Sequence, residues 1–320
     1  MWARRSWWAP GGCDDAGDLL RVFGPARTAI DLDDGRYFAV EDLAAYAQAT
    51  LQLCGDERPD NPYQPDEVAT AVAAQIAELA ERNFLIAGLV ARTHGLYDDT
   101  PIDPAAVSFT PSVEAALGAF LDRVAPVGGV AAWELLAALA FAEAPGLPVE
   151  LWQLAVRALT GKQISIEQLT RFARGSAANF LVESTGESAT VAFRLFHQAL
   201  SEALRTERAE ALPAASDEAN LTRAFLTYGT ERGWDRVPAY LFRSLPGHAV
   251  RAGMIDELLA DTRYVLRADL YRLIPAAAHA HTPTGAQRAH LLRLTPRAIP
   301  AQPPERLALL SVTEAFDGLD

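Results

Sequence analysis

In the stretch between residues 179 and 196 the hydrophobic period of this chain changes. On either side of it, apolar residues recur at the three-to-four spacing of amphipathic helices. Within it, Asn179-Phe180-Leu181-Val182-Glu183 and Ala189-Thr190-Val191-Ala192-Phe193-Arg194-Leu195-Phe196 are rich in β-branched and aromatic residues, and they flank Ser184-Thr185-Gly186-Glu187-Ser188. This pattern predicts one β-hairpin in an otherwise helical chain.

The segments around the hairpin predict a definite order. A helix over Ser112–Val124 opens with the cap signal Pro111-Ser112-Val113-Glu114, and further helices are predicted at Ala131–Glu143, Val149–Leu159 and Ser165–Ala173. Ser165 and Gln168 stand at capping-box spacing. Gln198 to Ala211 returns to helix. Three helices, a hairpin and another helix is the order of a winged-helix module. Upstream, Val40–Leu53 carries Leu43, Tyr46 and Leu51 at helical spacing, and Pro65–Thr93 carries Val68, Val72, Ile76, Leu79, Phe84, Ile86, Leu89 and Val90. Downstream, Ala219–Arg232, Trp234–Leu245, Met254–Ala260 and Leu266–Ala280 read as a helical array with no clear repeat period. The last twenty residues, with Pro300, Pro303 and Pro304, read as a fraying end. Near the start, Leu19 to Asp34 reads as a short apolar helix, a Gly-Pro turn and a brief strand ending in acids. A lone strand is not stable by itself, so it either joins a sheet supplied by another chain or is not a strand here. The expected fold class is mainly α.

Composition narrows the chemistry. Half of the 320 residues are apolar, and 28 basic against 41 acidic side chains give a net charge of −13. Binding nucleic acid over a broad surface needs clustered Lys and Arg to neutralise phosphates, and this balance argues against it. The basic residues include one lysine, Lys162, so any reaction that needs a lysine must use it. Cys13 and Cys54 suit neither a disulfide scaffold nor a zinc site. The opening residues have arginines but no apolar run behind them, and no stretch approaches about 18 uninterrupted apolar residues. The expected location is cytoplasmic.

Catalytic motifs are absent. A P-loop requires Gly, four residues, Gly, Lys and then Ser or Thr. The single Gly-Lys, Gly161-Lys162, is followed by Gln163, and Val156 occupies the place of the first glycine. There is no Gly-x-Ser-x-Gly nucleophile elbow. Asp14-Asp15, Asp33-Asp34 and Asp98-Asp99 are adjacent pairs in loops, where caps and solvation account for them. His279 and His281 are two apart and point to different helix faces; with His94, His248 and His290 they read as solvated residues, not metal ligands. His197, between the second hairpin strand and the next helix, reads on spacing alone as a capping or packing residue. An imidazole at a helix N-terminus can also donate to an anion that the helix amides favour.

The string Phe193-Arg194-Leu195-Phe196-His197-Gln198-Ala199-Leu200-Ser201-Glu202-Ala203-Leu204 resembles the end of the winged-helix domain of STAND-class (NACHT/NB-ARC-like) signalling NTPases, particularly those of actinobacterial type. Three other stretches agree in order. Thr28-Ala29-Ile30-Asp31-Leu32-Asp33-Asp34 with Arg36-Tyr37-Phe38 looks like the last strand of the nucleotide-binding core and the step into its helical lid. Arg82-Asn83-Phe84-Leu85-Ile86-Ala87-Gly88-Leu89-Val90 is similar to a lid helix, and Ala137 to Trp152, with Gly146-Leu147-Pro148, is similar to the first half of the winged helix. The resemblance covers roughly residues 19 to 275 and implies a remnant of the core at 1–38, a helical lid at 39–108, the winged helix at 109–212 and a helical linker at 213–320.

The resemblance implies that His197 contacts the β-phosphate of ADP and holds the molecule closed until ATP exchanges for it. It also places Asn83 and Phe84 at the nucleotide. Gln198 replaces the usual aspartate after the histidine, Arg82 replaces a lid glycine, and Phe84 stands where many relatives have proline. The P-loop, the Walker B acids and most of the core sheet are missing. The implied protein is a regulatory portion of a STAND NTPase, whether truncated, a remnant or independently expressed, and not an enzyme by itself. ADP or ATP with magnesium would belong to a full-length parent and no cofactor to this chain alone. Its partner would be another protein or the missing nucleotide-binding core, with no membrane. Two rivals stand beside this reading. One is a winged-helix DNA-binding regulator that uses Arg171, Arg174 and Lys162; the other is a helical protein-interaction scaffold.

Overall fold

The computed structural model describes residues 38–53, 57–175, 177–185, 190–211 and 214–317. The strand expected at Thr28–Asp34 and both cysteines lie outside these residues. Among them the protein is mainly α, with fifteen α-helices and one small antiparallel sheet of three strands.

Three helices open the described chain: α1 (Val40–Leu51), α2 (Asp66–Leu79) and α3 (Phe84–Tyr97). Their apolar stripes meet through Leu43, Ala47 and Leu51 of α1, Val72 and Ile76 of α2, and Ile86 and Leu89 of α3, all buried. The helical pattern read over Pro65–Thr93 breaks in the middle. Glu81 and Arg82 take φ values of 49° and 69°, which reverse the chain, and Asn83 then caps α3 by accepting from the Leu85 and Ile86 N–H groups at 2.9 and 3.1 Å.

Next come α4 (Val113–Leu121), α5 (Ala132–Leu139), β1 (Leu147–Pro148), α6 (Val149–Thr160), α7 (Ile166–Arg174), β2 (Leu181–Thr185) and β3 (Val191–Leu195). Ser112 caps α4, and Ser165 and Gln168 form the predicted capping box on α7. The hairpin pairs Leu181 with Leu195 through Thr185 with Val191, two residues later than the sequence pattern places its first strand, because Ala178–Phe180 form a 3-10 turn. A strand absent from the sequence reading, β1, pairs with β3 and gives the sheet order β1-β3-β2. Helix, strand, two helices and a hairpin with that order make a winged helix. Its core centres on fully buried Trp152, which packs against Phe172 and Phe193 and donates from its indole N–H to the Leu135 carbonyl at 2.8 Å.

After the hairpin, α8 (Gln198–Ala211) packs back on α4 and α5, and the array follows as α9 (Ala214–Arg232), α10 (Ala239–Arg251), α11 (Ile255–Ala260), α12 (Thr262–Val265), α13 (Leu270–Ala277), α14 (Pro283–Leu294) and α15 (Pro303–Asp317). The helix read over Leu266–Ala280 starts later and is shorter, Leu270–Ala277, because Asp269 caps it at the Tyr271 N–H and the residues before it form a turn after α12. The fraying end is instead α15. Pro303 and Pro304 occupy its first turn, where no N–H partner is needed, and buried Arg306 anchors it by donating to the carbonyls of Ala298, Val265 and Ala268 at 3.0, 3.2 and 2.8 Å. Among the described residues no helix is long and apolar enough to cross a membrane.

Candidate functional site

Two of the sequence-nominated residues, Phe84 and His197, are each one ring contact away from residues that line a cleft between the first three helices and the winged helix. Phe84, at the start of α3, leaves its ring 42% exposed, with its edge or face toward Phe38 and Tyr46 at centroid distances of 6.2 and 5.5 Å. The Arg82 guanidinium lies 4.5 Å from the Phe38 ring centroid, a cation-π contact that extends the patch. Tyr46 lies close over α3 because residue 88 is glycine: a Cβ there would stand 2.6 Å from the Tyr46 hydroxyl.

Behind this patch is a cavity of about 490 Å³, lined by Tyr46, Thr50 and Gly88, by Arg92 near the end of α3, and by Asn179 and Phe196 of the winged helix. That volume is in the range of small-molecule pockets. Arg92 supplies the polar tie across it. Its guanidinium pairs with Glu57, and the Asn179 carboxamide, turned with its oxygen inward, accepts from Arg92 Nε and Nη1 at 2.8 and 2.9 Å.

His197 follows Phe196 and is exposed, with the two rings 5.9 Å apart. Its Nδ1 accepts from the Ala199 N–H at 3.1 Å, capping α8. The neutral ring therefore carries its proton on Nε2, a donor not used by that cap. Asn83, Phe84 and His197 do not themselves line the cavity. Phe84 meets the lining residue Tyr46, and His197 follows and meets the lining residue Phe196. Asn83 has its amide oxygen committed to the α3 cap, which leaves the NH₂ group to donate.

The cations that would serve a DNA-reading helix are each paired with an acid. Lys162 binds Glu134, Arg171 binds Glu167 at 2.7 Å, and Arg174 forks onto Glu183 at 2.8 and 3.0 Å. That fork holds the Glu183 carboxyl below its ordinary range.

A second polar cluster was not visible from sequence. His248 is 1% exposed, not solvated. Its Nδ1 lies 2.8 Å from Glu218 Oε2 and its Nε2 3.1 Å from the Tyr240 hydroxyl, while Arg251 binds the other Glu218 oxygen. Burial pushes the Glu218 carboxyl up, but the hydrogen bond and charge of His248, with Arg251, outweigh it and hold it below its ordinary range. Burial raises the Tyr240 hydroxyl well above its ordinary value. His248 stands on the apolar stripe of α10 with Leu241 and Leu245, seven and three residues before it, and that spacing was the available signal. His94, another of the histidines read as solvated, is partly buried and lies 2.7 Å from Asp98, which also accepts from the Tyr63 hydroxyl at 2.6 Å. His279 and His281 are exposed. Among the described residues no group of three or more His, Cys, Asp or Glu side chains is placed to hold a metal ion.

No family model matches the chain, and no curated protein or solved structure does so either.

Proposed function

We propose that this protein is the regulatory portion of a STAND-type nucleotide switch, in which His197 senses a nucleotide diphosphate and the helical array relays the state to a protein partner. The observation that carries the reading is the His197 cap. With Nδ1 occupied by the Ala199 N–H, the neutral imidazole offers one N–H, on Nε2, next to Phe196, which lines the cleft, while the exposed Phe84 ring meets Tyr46, which also lines it. A donor of this kind suits a phosphate oxygen, and an exposed aromatic face suits a purine base. The residues present fit those two parts of ADP. They do not supply the phosphate cradle, since Lys162 is engaged with Glu134 on the winged helix, so the polyphosphate and its magnesium would be held by a separate nucleotide-binding core. In this reading the chain has no catalytic activity of its own. The ligand shifts the arrangement of lid and winged helix only by its differential affinity for the two states.

The test is hydrogen exchange of the full chain with and without ADP. The expected result is slower exchange at Ala199 and Leu200, behind His197, together with no magnesium-dependent ATP turnover above a His197→Ala control. Unchanged exchange favours the scaffold alternative, in which the array alone binds a partner. A salt-dependent mobility shift of duplex DNA would favour the regulator alternative, against which the pairing of Lys162, Arg171 and Arg174 with carboxylates stands.

A further inference from the structure

The turn at residues 143–146, just before β1, is gripped by the helical array. The Glu143 N–H donates to the Tyr240 hydroxyl oxygen at 3.2 Å, Glu143 Oε1 accepts from Arg251 Nη1 at 3.2 Å, and the Ala144 carbonyl accepts from Arg243. All three gripping residues lie on α10. Their positions are fixed from behind, because Tyr240 meets buried His248, and His248 and Arg251 share the Glu218 carboxylate of α9. The Tyr240 hydroxyl, which accepts from Glu143, lies 3.1 Å from His248 Nε2, and His248 Nδ1 lies 2.8 Å from Glu218 Oε2 and 3.1 Å from Arg251 Nη2. A largely buried polar network of this kind stiffens the elements it joins.

On its other side the same turn runs directly into the wing. Gly146 has φ of 132°, and a Cβ there would stand 2.7 Å from the Phe193 carbonyl oxygen. Leu147 then pairs with Phe193 and Pro148 with Ala192. Two residues beyond the end of β3 is His197. Each step from α10 to His197 is a hydrogen bond, a strand register or a peptide bond.

We infer that α10 is the input by which the array sets the position of His197: a partner that displaces α10 draws on the 143–146 turn and carries β1, β3 and the imidazole with it. Packed elements of this kind shift as discrete bodies, so a small movement at α10 reaches the wing undiluted. The functional meaning of this link rests on the nucleotide-sensing reading; the mechanical link does not.

The experiment is hydrogen exchange of the full chain without nucleotide. Arg243→Ala and Glu143→Ala each loosen the grip at a partly exposed side chain. Arg288→Ala is the control, since it releases a bond to the Leu259 carbonyl of 2.6 Å inside the array and touches no part of the turn. The expected result is exchange roughly fivefold faster at Ala192–Leu195 and Ala199 in both turn variants, the worth of one hydrogen bond, and wild-type rates there in the control. Unchanged wing exchange in both turn variants overturns the inference, as does an equal acceleration in the control. A coupled wing whose His197 ignores ADP would sink the nucleotide reading alone, and an uncoupled wing whose His197 is protected by ADP would sink this inference alone.

Discussion

Arg208 and Asp217 form a two-point ion pair at the junction between the winged helix and the array, with Nη2 2.9 Å from Oδ1 and Nε bound to Oδ2. The residues are 6% and 1% exposed, and the same Nη2 donates to the Leu159 carbonyl at the end of α6. One buried guanidinium thus ties α6, α8 and α9 together. A charge this deep is tolerated only because its partners are complete.

Removing either partner should therefore cost far more than removing both. Asp217→Ala or Arg208→Ala leaves an uncompensated buried charge, with an expected loss of about 3–5 kcal/mol in denaturant unfolding. The double replacement Arg208→Met with Asp217→Leu should recover much of that loss. If the double variant is as unstable as the worse single one, the pair is contributing through packing and not through charge.

Gly146 carries the strand that sequence periodicity did not disclose. Its φ of 132° is one that L-residues rarely adopt, and Gly146→Ala would also drive a methyl into the Phe193 carbonyl. The expected cost is about 1–3 kcal/mol. Because Trp152 packs 5.7 Å from the Phe193 ring, the change should also appear in the near-ultraviolet dichroism of Trp152. A variant that keeps both stability and the aromatic signal would show that β1 is not anchored through this contact.

What the sequence disclosed and what it hid follow from the range of the interactions. The hairpin and the Ser165 capping box were legible because their signals span a few residues: a change of period and a Ser-x-x-Gln spacing. The helix α14 was missed because it buries only Gly285, Ala289 and Leu292, too few apolar residues to draw a stripe. Its Thr282-Pro283 start, where the threonine caps the Gly285 N–H at 3.0 Å, was the readable cue. Arg92, which does line the cleft, was not legible. Its partners Glu57 and Asn179 come from elsewhere in the chain, and nothing local marks an arginine on α3 as the tie between two modules. The same holds for His248, whose carboxylate partner is 30 residues away.

The buried Glu218 gives a pH dependence of fixed sign. Its carboxyl is held below the ordinary value of 4.5, so in the folded chain it stays ionised at a pH where the unfolded chain takes up a proton. The stability it contributes is fully present above that value and is lost as pH falls below it. Against Glu218→Gln, the wild-type advantage in denaturant unfolding should be constant from about pH 7 to 5.5 and should shrink from pH 5 toward 3. An advantage that does not change over the whole range would mean that the carboxylate is not held ionised by His248 and Arg251.

His197 has two separable roles, and two substitutions part them. Its Nδ1 caps α8 whatever the ligand, so His197→Ala should lose about 1 kcal/mol of stability. Asparagine is among the best N-cap residues, and its amide oxygen can accept from the Ala199 N–H in the same way, so His197→Asn should unfold close to the wild type. Its side chain is too short to place a donor where the imidazole Nε2–H stands. If His197 senses a diphosphate, ADP-dependent protection at Ala199 and Leu200 disappears in both variants although only the alanine variant is destabilised. If His197 is a cap and nothing more, the asparagine variant responds to ADP as the wild type does, and the sensing role falls with it.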